Sequence, residues 1–130
     1  MRFLLDTNAV IALLRRQADV TRRVRRHPSE DFGLSVIVLH ELYFGSFRSR
    51  QAPRNQSLIE ALPFDTLPFD KADARLAAAI RADLTAAGIP ISTSDLLIAA
   101  QARSRDLTLI THNVSEFSRV PGLRWEDWEK

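Results

Sequence analysis

Short, wholly apolar runs alternate with helical apolar repeats along this chain. Residues 2–5 hold Phe3, Leu4 and Leu5 in a row, the mark of a short buried strand, and a helix through Val10, Ile11, Leu13 and Leu14 follows. A basic helix is expected over 20–26, a turn over 28–31 and a second strand over 32–35. Ser35 is placed to N-cap a helix through Val36, Leu39, Tyr43 and Phe44. Pro53 suits the first turn of a further helix carrying Leu58, Ile59 and Leu62. Residues 64–69 read as a strand interrupted by Pro68. Asp70 and Asp73 then open an amphipathic helix with an apolar line of Leu76, Ile80, Leu84 and Ala87, and Gly88 closes it. A loop over 89–94, a helix over 95–105 and a buried strand over 107–111 follow. After a turn at His112-Asn113, the tail with Phe117, Val120, Leu123, Trp125 and Trp128 is expected to pack a last short strand.

Apolar strands alternating with helices predict a parallel sheet covered on both faces, an α/β fold. The 130 residues suit one domain, 1–130, with no internal repeat or linker. No apolar run approaches the ~20 residues of a membrane span, and an acid at position 6 comes too early for a signal peptide. Cysteine is absent, which excludes a disulfide framework and thiolate metal sites. The expected setting is cytoplasmic, with no membrane. Net charge is only +2, but the basic residues are arginine apart from Lys71 and Lys130. Arg15, Arg16, Arg22, Arg23, Arg25 and Arg26 form a run that reads either as a solvated helix face or as a phosphate-binding flank.

Three acids stand out against this background. Asp6 closes the first apolar run, Glu41 is the only charge between Asp31 and Arg48 apart from its neighbour His40, and Asp95 precedes Leu96-Leu97-Ile98-Ala99-Ala100. Carboxylates in apolar surroundings are costly without a counter-charge, and three of them point to one divalent cation. Simpler readings compete. Asp6 can cap the helix after it, and Asp95 sits at the third position of a helix capped by Ser92. Glu41 lies mid-helix, where capping cannot explain it, and an arginine ion pair is the alternative. In a parallel sheet, ligands bind beyond the carboxyl ends of strands. That rule brings Asp6, Thr111, His112 and Asn113 to one pocket. His40-Glu41 lacks the second histidine of a zinc helix, no Gly-rich phosphate loop occurs, and no nucleophile elbow is present. A receiver or dehalogenase-type phosphotransfer site fails as well: Asn8 stands where a second acid is needed, and the only late lysine is Lys130. A metal-independent His/Lys ribonuclease stays open through His112.

The same residues resemble PIN-domain ribonucleases of the VapC toxin type. The resemblance rests on Phe3-Leu4-Leu5-Asp6-Thr7-Asn8, on His40-Glu41-Leu42-Tyr43-Phe44-Gly45, and on Gly88-Ile89-Pro90-Ile91 leading to Asp95-Leu96-Leu97-Ile98-Ala99-Ala100. It continues through Leu109-Ile110-Thr111-His112-Asn113 and Glu116-Phe117-Ser118-Arg119-Val120-Pro121-Gly122-Leu123, so it spans the chain. It implies a single-domain α/β/α sandwich around a short-stranded parallel sheet. It also implies a Mg²⁺- or Mn²⁺-dependent endoribonuclease acting on tRNA or rRNA. Such a protein is the toxin half of a type II toxin–antitoxin pair, with a cognate antitoxin and a homodimeric state. Asp6, Glu41 and Asp95 match the three central acids, with Asn8 and Thr111 orienting ligands. Asn113 departs from the pattern, standing where many members carry aspartate, and Glu116 is the candidate replacement. Ser92 likewise stands where glycine is common. The alternative is a catalytically impaired PIN-like domain that binds RNA or a protein partner.

Overall fold

A computed structural model describes all 130 residues, Met1–Lys130. The elements run β1 (Phe3–Leu5), α1 (Thr7–Leu14), α2 (Ala18–Val24), β2 (Phe32–Ser35), α3 (Val36–Arg48), α4 (Ala52–Glu60), β3 (Asp65–Leu67), α5 (Lys71–Ala86), α6 (Thr93–Ser104), β4 (Thr108–Ile110), α7 (Val114–Phe117) and β5 (Trp125–Glu126). A single 3₁₀ turn, Ser29–Asp31, leads into β2. The five strands form one sheet in the order β3-β2-β1-β4-β5, with every pairing parallel. Phe3, Leu4 and Leu5 are all buried. Successive residues of a strand point to opposite faces, so their burial means that both faces of the sheet are covered. This is the covered parallel sheet expected from the alternating pattern, and the α/β/α sandwich that the resemblance implies.

The helix starts follow local chemistry. Asp6, Gln17, Ser35, Asp70 and Ser92 each accept a hydrogen bond from a backbone N–H in the first turn of the helix they open. Asp70 and Asp73 form a reciprocal capping box, with Asp70 N–H donating to Asp73 at 2.9 Å and Asp73 N–H to Asp70 at 3.0 Å. Gly88, at φ +73°, takes the left-handed turn that ends α5. Ile80 and Leu84 are buried as the apolar line requires, but Ala87 is exposed and Ala77 is buried instead.

Several boundaries move. The helix expected over 95–105 begins at Thr93, directly after its Ser92 cap. The strand expected over 64–69 shrinks to Asp65–Leu67, because Pro68 has no N–H for the ladder. The turn after β4 continues into α7, a short helix that periodicity could not signal. α5 and α6 are held together by a buried polar cluster. Asp73, fully buried, accepts from Arg105 Nη2 at 2.8 Å. Arg105 also donates to the Pro68 carbonyl, and Gln101 Nε2 donates to the carbonyls of Leu67 and Pro68. These bonds fasten both helices to the end of β3.

Candidate active site

Parallel pairing carries the candidate residues to one end of the sheet. β1 and β4 align Leu5 with Ile110, and Asp6 N–H donates to the Ile110 carbonyl at 3.1 Å. Asp6 and Thr111 therefore emerge side by side. Asp6 Oδ1 accepts from Ala9 N–H at 2.8 Å, so the capping role read from the sequence is real. It does not exhaust the residue. The carboxyl is buried and its pKa rises to about 6. Desolvation is the main cause; bonds from Thr111 and Ala9 oppose it, and the charges of Glu129 and Glu41 add to it.

Asp95 stands at the start of α6, where its backbone N–H donates to Ser92 Oγ at 3.3 Å. Its pKa rises to about 7, first through desolvation and then through a shared hydrogen bond and the charge of Glu116, with Asp6 contributing. Asp6 and Asp95 thus feel each other, and Glu116 joins them from α7. Glu41, half-buried on α3, accepts the Thr7 hydroxyl at Oε1 over 2.6 Å. The arginine ion pair considered for Glu41 does not form. None of Asp6, Glu41 and Asp95 pairs with an arginine or lysine. An all-oxygen acidic set, with the Asp6 and Asp95 carboxyls pushed up mainly by burial and no basic partner beside them, fits a hard divalent cation.

Asn113 fills its position in an unanticipated way. The sequence allowed it to offer a neutral oxygen. Here its amide Nδ2 donates to Asp95 Oδ2 at 3.1 Å and to Glu116 Oε2 at 3.3 Å. The amide orientation follows from this network of two acceptors. Thr111 Oγ1 in turn accepts Asn113 N–H at 2.9 Å, locking the turn after β4. Asn8 is exposed on α1 and makes no side-chain hydrogen bond to the acids; it lines the adjoining cavity.

That cavity, of about 690 Å³, is also lined by Arg15, Gln17, His112, Asn113 and Glu129. A second groove, of about 410 Å³, runs past Glu41 between α3 and α4, and Ile11 and Arg15 border both. The arginine run divides by role. Arg23 donates to the carbonyls of Asp127 and Lys130, and Arg22 pairs with Asp19 at 2.8 Å. Arg16, Arg25 and Arg26 are exposed. Sequence reasoning missed Glu129, whose charge reaches Asp6, and Asp127, which bonds His112. Both lie in the tail beyond the last periodic element, where the one available signal was an acid count.

Comparison with known proteins agrees with this architecture. The PIN-domain family model matches residues 3–123. The protein named tRNA(fMet)-specific endonuclease VapC of Shigella flexneri is 38% identical over 131 residues, covering 98% of both chains. Ribonuclease VapC2 of Haemophilus influenzae strain Rd is 34% identical over 131 residues, again with 98% of both covered. Among solved structures, the DNA-bound VapBC complex of Salmonella typhimurium contains a chain superposing with a TM-score of 0.93 at 34% identity, over 98% of each chain. A chain of VapBC-1 from nontypeable Haemophilus influenzae superposes with a TM-score of 0.89 at 31% identity, over the full length of both.

Proposed function

This chain belongs to the PIN-domain family, and from that premise we propose that it is the toxin ribonuclease of a toxin–antitoxin pair, hydrolysing RNA at a centre formed by Asp6, Glu41 and Asp95. The observation that carries the reading is the convergence of these acids, from three separate elements, with no arginine or lysine to neutralise them. Asp6 and Asp95 would hold Mg²⁺ or Mn²⁺, with Glu41 beside them and Glu116 supplying the further charge that Asn113 does not. When bound, such an ion supplies an acidified water and stabilises negative charge building on the phosphate.

The protein's own groups do the rest. The cap bond from Ala9 and the Thr111 hydroxyl fix the Asp6 carboxyl on a rigid strand end. The Thr7 hydroxyl holds Glu41 through Oε1 and leaves Oε2 free to accept a proton from the attacking water. Asn113 clamps Asp95 to Glu116 through its amide, holding the two carboxyls side by side. Arg15, at the junction of the two grooves, is placed to grip the RNA backbone without reading its sequence. Hydrolysis by water leaves a 5′-phosphate and a 3′-hydroxyl.

Since two relatives are named for initiator tRNA, tRNA(fMet) is the first substrate to test, followed by total tRNA and rRNA. The related structures are complexes with VapB-type partners, and a cognate antitoxin is proposed to cover this site. No helix is long and apolar enough to cross a membrane. The decisive assay is RNA cleavage by purified protein in Mg²⁺, Mn²⁺ or EDTA, beside Asp6→Asn. Discrete cuts that need both metal and Asp6 are expected. Cuts that persist in EDTA, or in Asp6→Asn free of contaminating nuclease, would refute the mechanism. Binding without cleavage in every condition would leave a binding-only domain.

A further inference from the structure

His112, Asp127 and Glu129 form a second constellation, outside the three acids. His112 Nδ1 lies 3.0 Å from Asp127 Oδ2, 3.2 Å from Asp127 Oδ1 and 3.5 Å from Glu129 Oε2. One ligand atom from each residue falls within 4.8 Å of the other two. Three carboxylate oxygens thus converge on one ring nitrogen, which carries at most one hydrogen. A proton can satisfy one of these acceptors well. A cation bound by the nitrogen lone pair and both carboxylates satisfies them all.

The frame around this cluster is fixed. Thr111 N–H donates to the Glu126 carbonyl at 3.0 Å, tying the end of β4 to β5. Arg23 Nη1 and Nη2 donate to the carbonyls of Asp127 and Lys130. Trp128 is buried between Asp127 and Glu129, against Phe3 and Phe32. Glu129 N–H donates to Asp127 Oδ1 at 3.0 Å. The Asp127 side chain is 9% exposed and that of Glu129 25%, while His112 at 55% leaves an open approach for an ion. His112 and Glu129 also line the cavity of about 690 Å³.

We propose that His112, Asp127 and Glu129 form a separate site for one borderline transition-metal ion, Zn²⁺ or Co²⁺, at the rim of the cavity that adjoins the candidate active site. An imidazole with two carboxylates selects this class over Mg²⁺, which takes oxygen ligands and keeps its waters. Binding places His112 with Nδ1 on the metal and its hydrogen on Nε2. It also sets a positive charge beside Glu129, the residue whose charge reaches Asp6.

The test uses the double variant Asp6→Asn/Asp95→Asn, which removes the main centre, with Co²⁺ as probe followed by calorimetry and by its visible d–d bands. One Co²⁺ per chain is expected, with no matching Mg²⁺ site. Adding His112→Gln should weaken Co²⁺ at least about tenfold, since even outer-sphere partners of metal ligands carry about 10–100-fold. Glu129→Gln should weaken it as well, and circular dichroism should show both proteins folded. Absence of stoichiometric Co²⁺ binding in the folded double variant, or binding that His112→Gln leaves unchanged, would overturn the site. Neither result touches the proposed ribonuclease, which is measured in Mg²⁺ with Asp6 and Asp95 intact.

Discussion

At the scale of single residues, Asp6 holds two roles that pull in opposite directions. It caps α1 as a carboxylate, yet burial pushes its pKa up to about 6. A carboxyl with a raised folded pKa favours the folded state most when protonated. Its contribution to stability is therefore fullest near and below its unfolded value of 3.8 and is lost as pH rises through about 6. A shift of this size corresponds to about 3 kcal/mol. Urea unfolding in EDTA should show wild-type protein losing stability between about pH 4 and pH 7, the window set by Asp6 and Asp95. Asp6→Asn, which keeps a capping oxygen, should be flatter across that range and more stable than wild type at pH 8, while losing cleavage. Asn113 gives the converse case. Asn113→Asp replaces the amide that bonds Asp95 and Glu116 with a third charge. In EDTA at pH 8 it should cost about 1–3 kcal/mol, and calorimetry should show tighter Mg²⁺ binding. An unchanged unfolding midpoint would mean that the amide clamp contributes nothing.

Among the elements, a buried ion pair between Asp73 and Arg105 reinforces the pairing of α5 with α6. Burial alone would raise the Asp73 pKa, but the bonds from Arg105 and from the Asp70 backbone hold it below the ordinary carboxylate value. Its stabilisation is present above pH ~4 and is lost as pH falls through the depressed pKa. Arg105→Ala strands the Asp73 carboxylate in the interior and should cost about 3–5 kcal/mol in thermal or chemical unfolding. Cleavage per folded molecule should persist, since Arg105 touches none of the active-site acids. How far such elements could be read beforehand depended on their signal. β1 announced itself by an uninterrupted apolar run, and α1, α3, α5 and α6 by caps and periodicity. α7 spans only Val114–Phe117, too short for a period to register, and β5 only Trp125–Glu126. Glu41 was legible as a candidate because its mid-helix position removed the capping explanation. Its partner was not, since Thr7 and Glu41 are 34 positions apart and meet only through the fold. The amide clamp of Asn113 and the reach of Glu129 are likewise products of tertiary approach.

For the whole molecule, the proposed metal site would link ion binding to stability. Mg²⁺ at one hundred times its dissociation constant should add about 2.7 kcal/mol to the unfolding free energy. The gain should vanish in Asp6→Asn/Asp95→Asn, and equal stabilisation of both proteins in Mg²⁺ melts would place the ion elsewhere. The strand order carries a further consequence, one of timing. β1 lies in the middle of the sheet, but its two neighbours are made at different moments: β2 ends at residue 35 and β4 begins at 108. A chain growing from its amino end therefore carries Asp6 and Glu41 long before Asp95 and the β4 edge exist. Half a sheet is open and the proposed acid centre is incomplete until synthesis has passed Asn113. On the proposed reading, vectorial synthesis makes Asp95 and the β4 edge the last parts of the centre to arrive, so the growing chain cannot assemble it early.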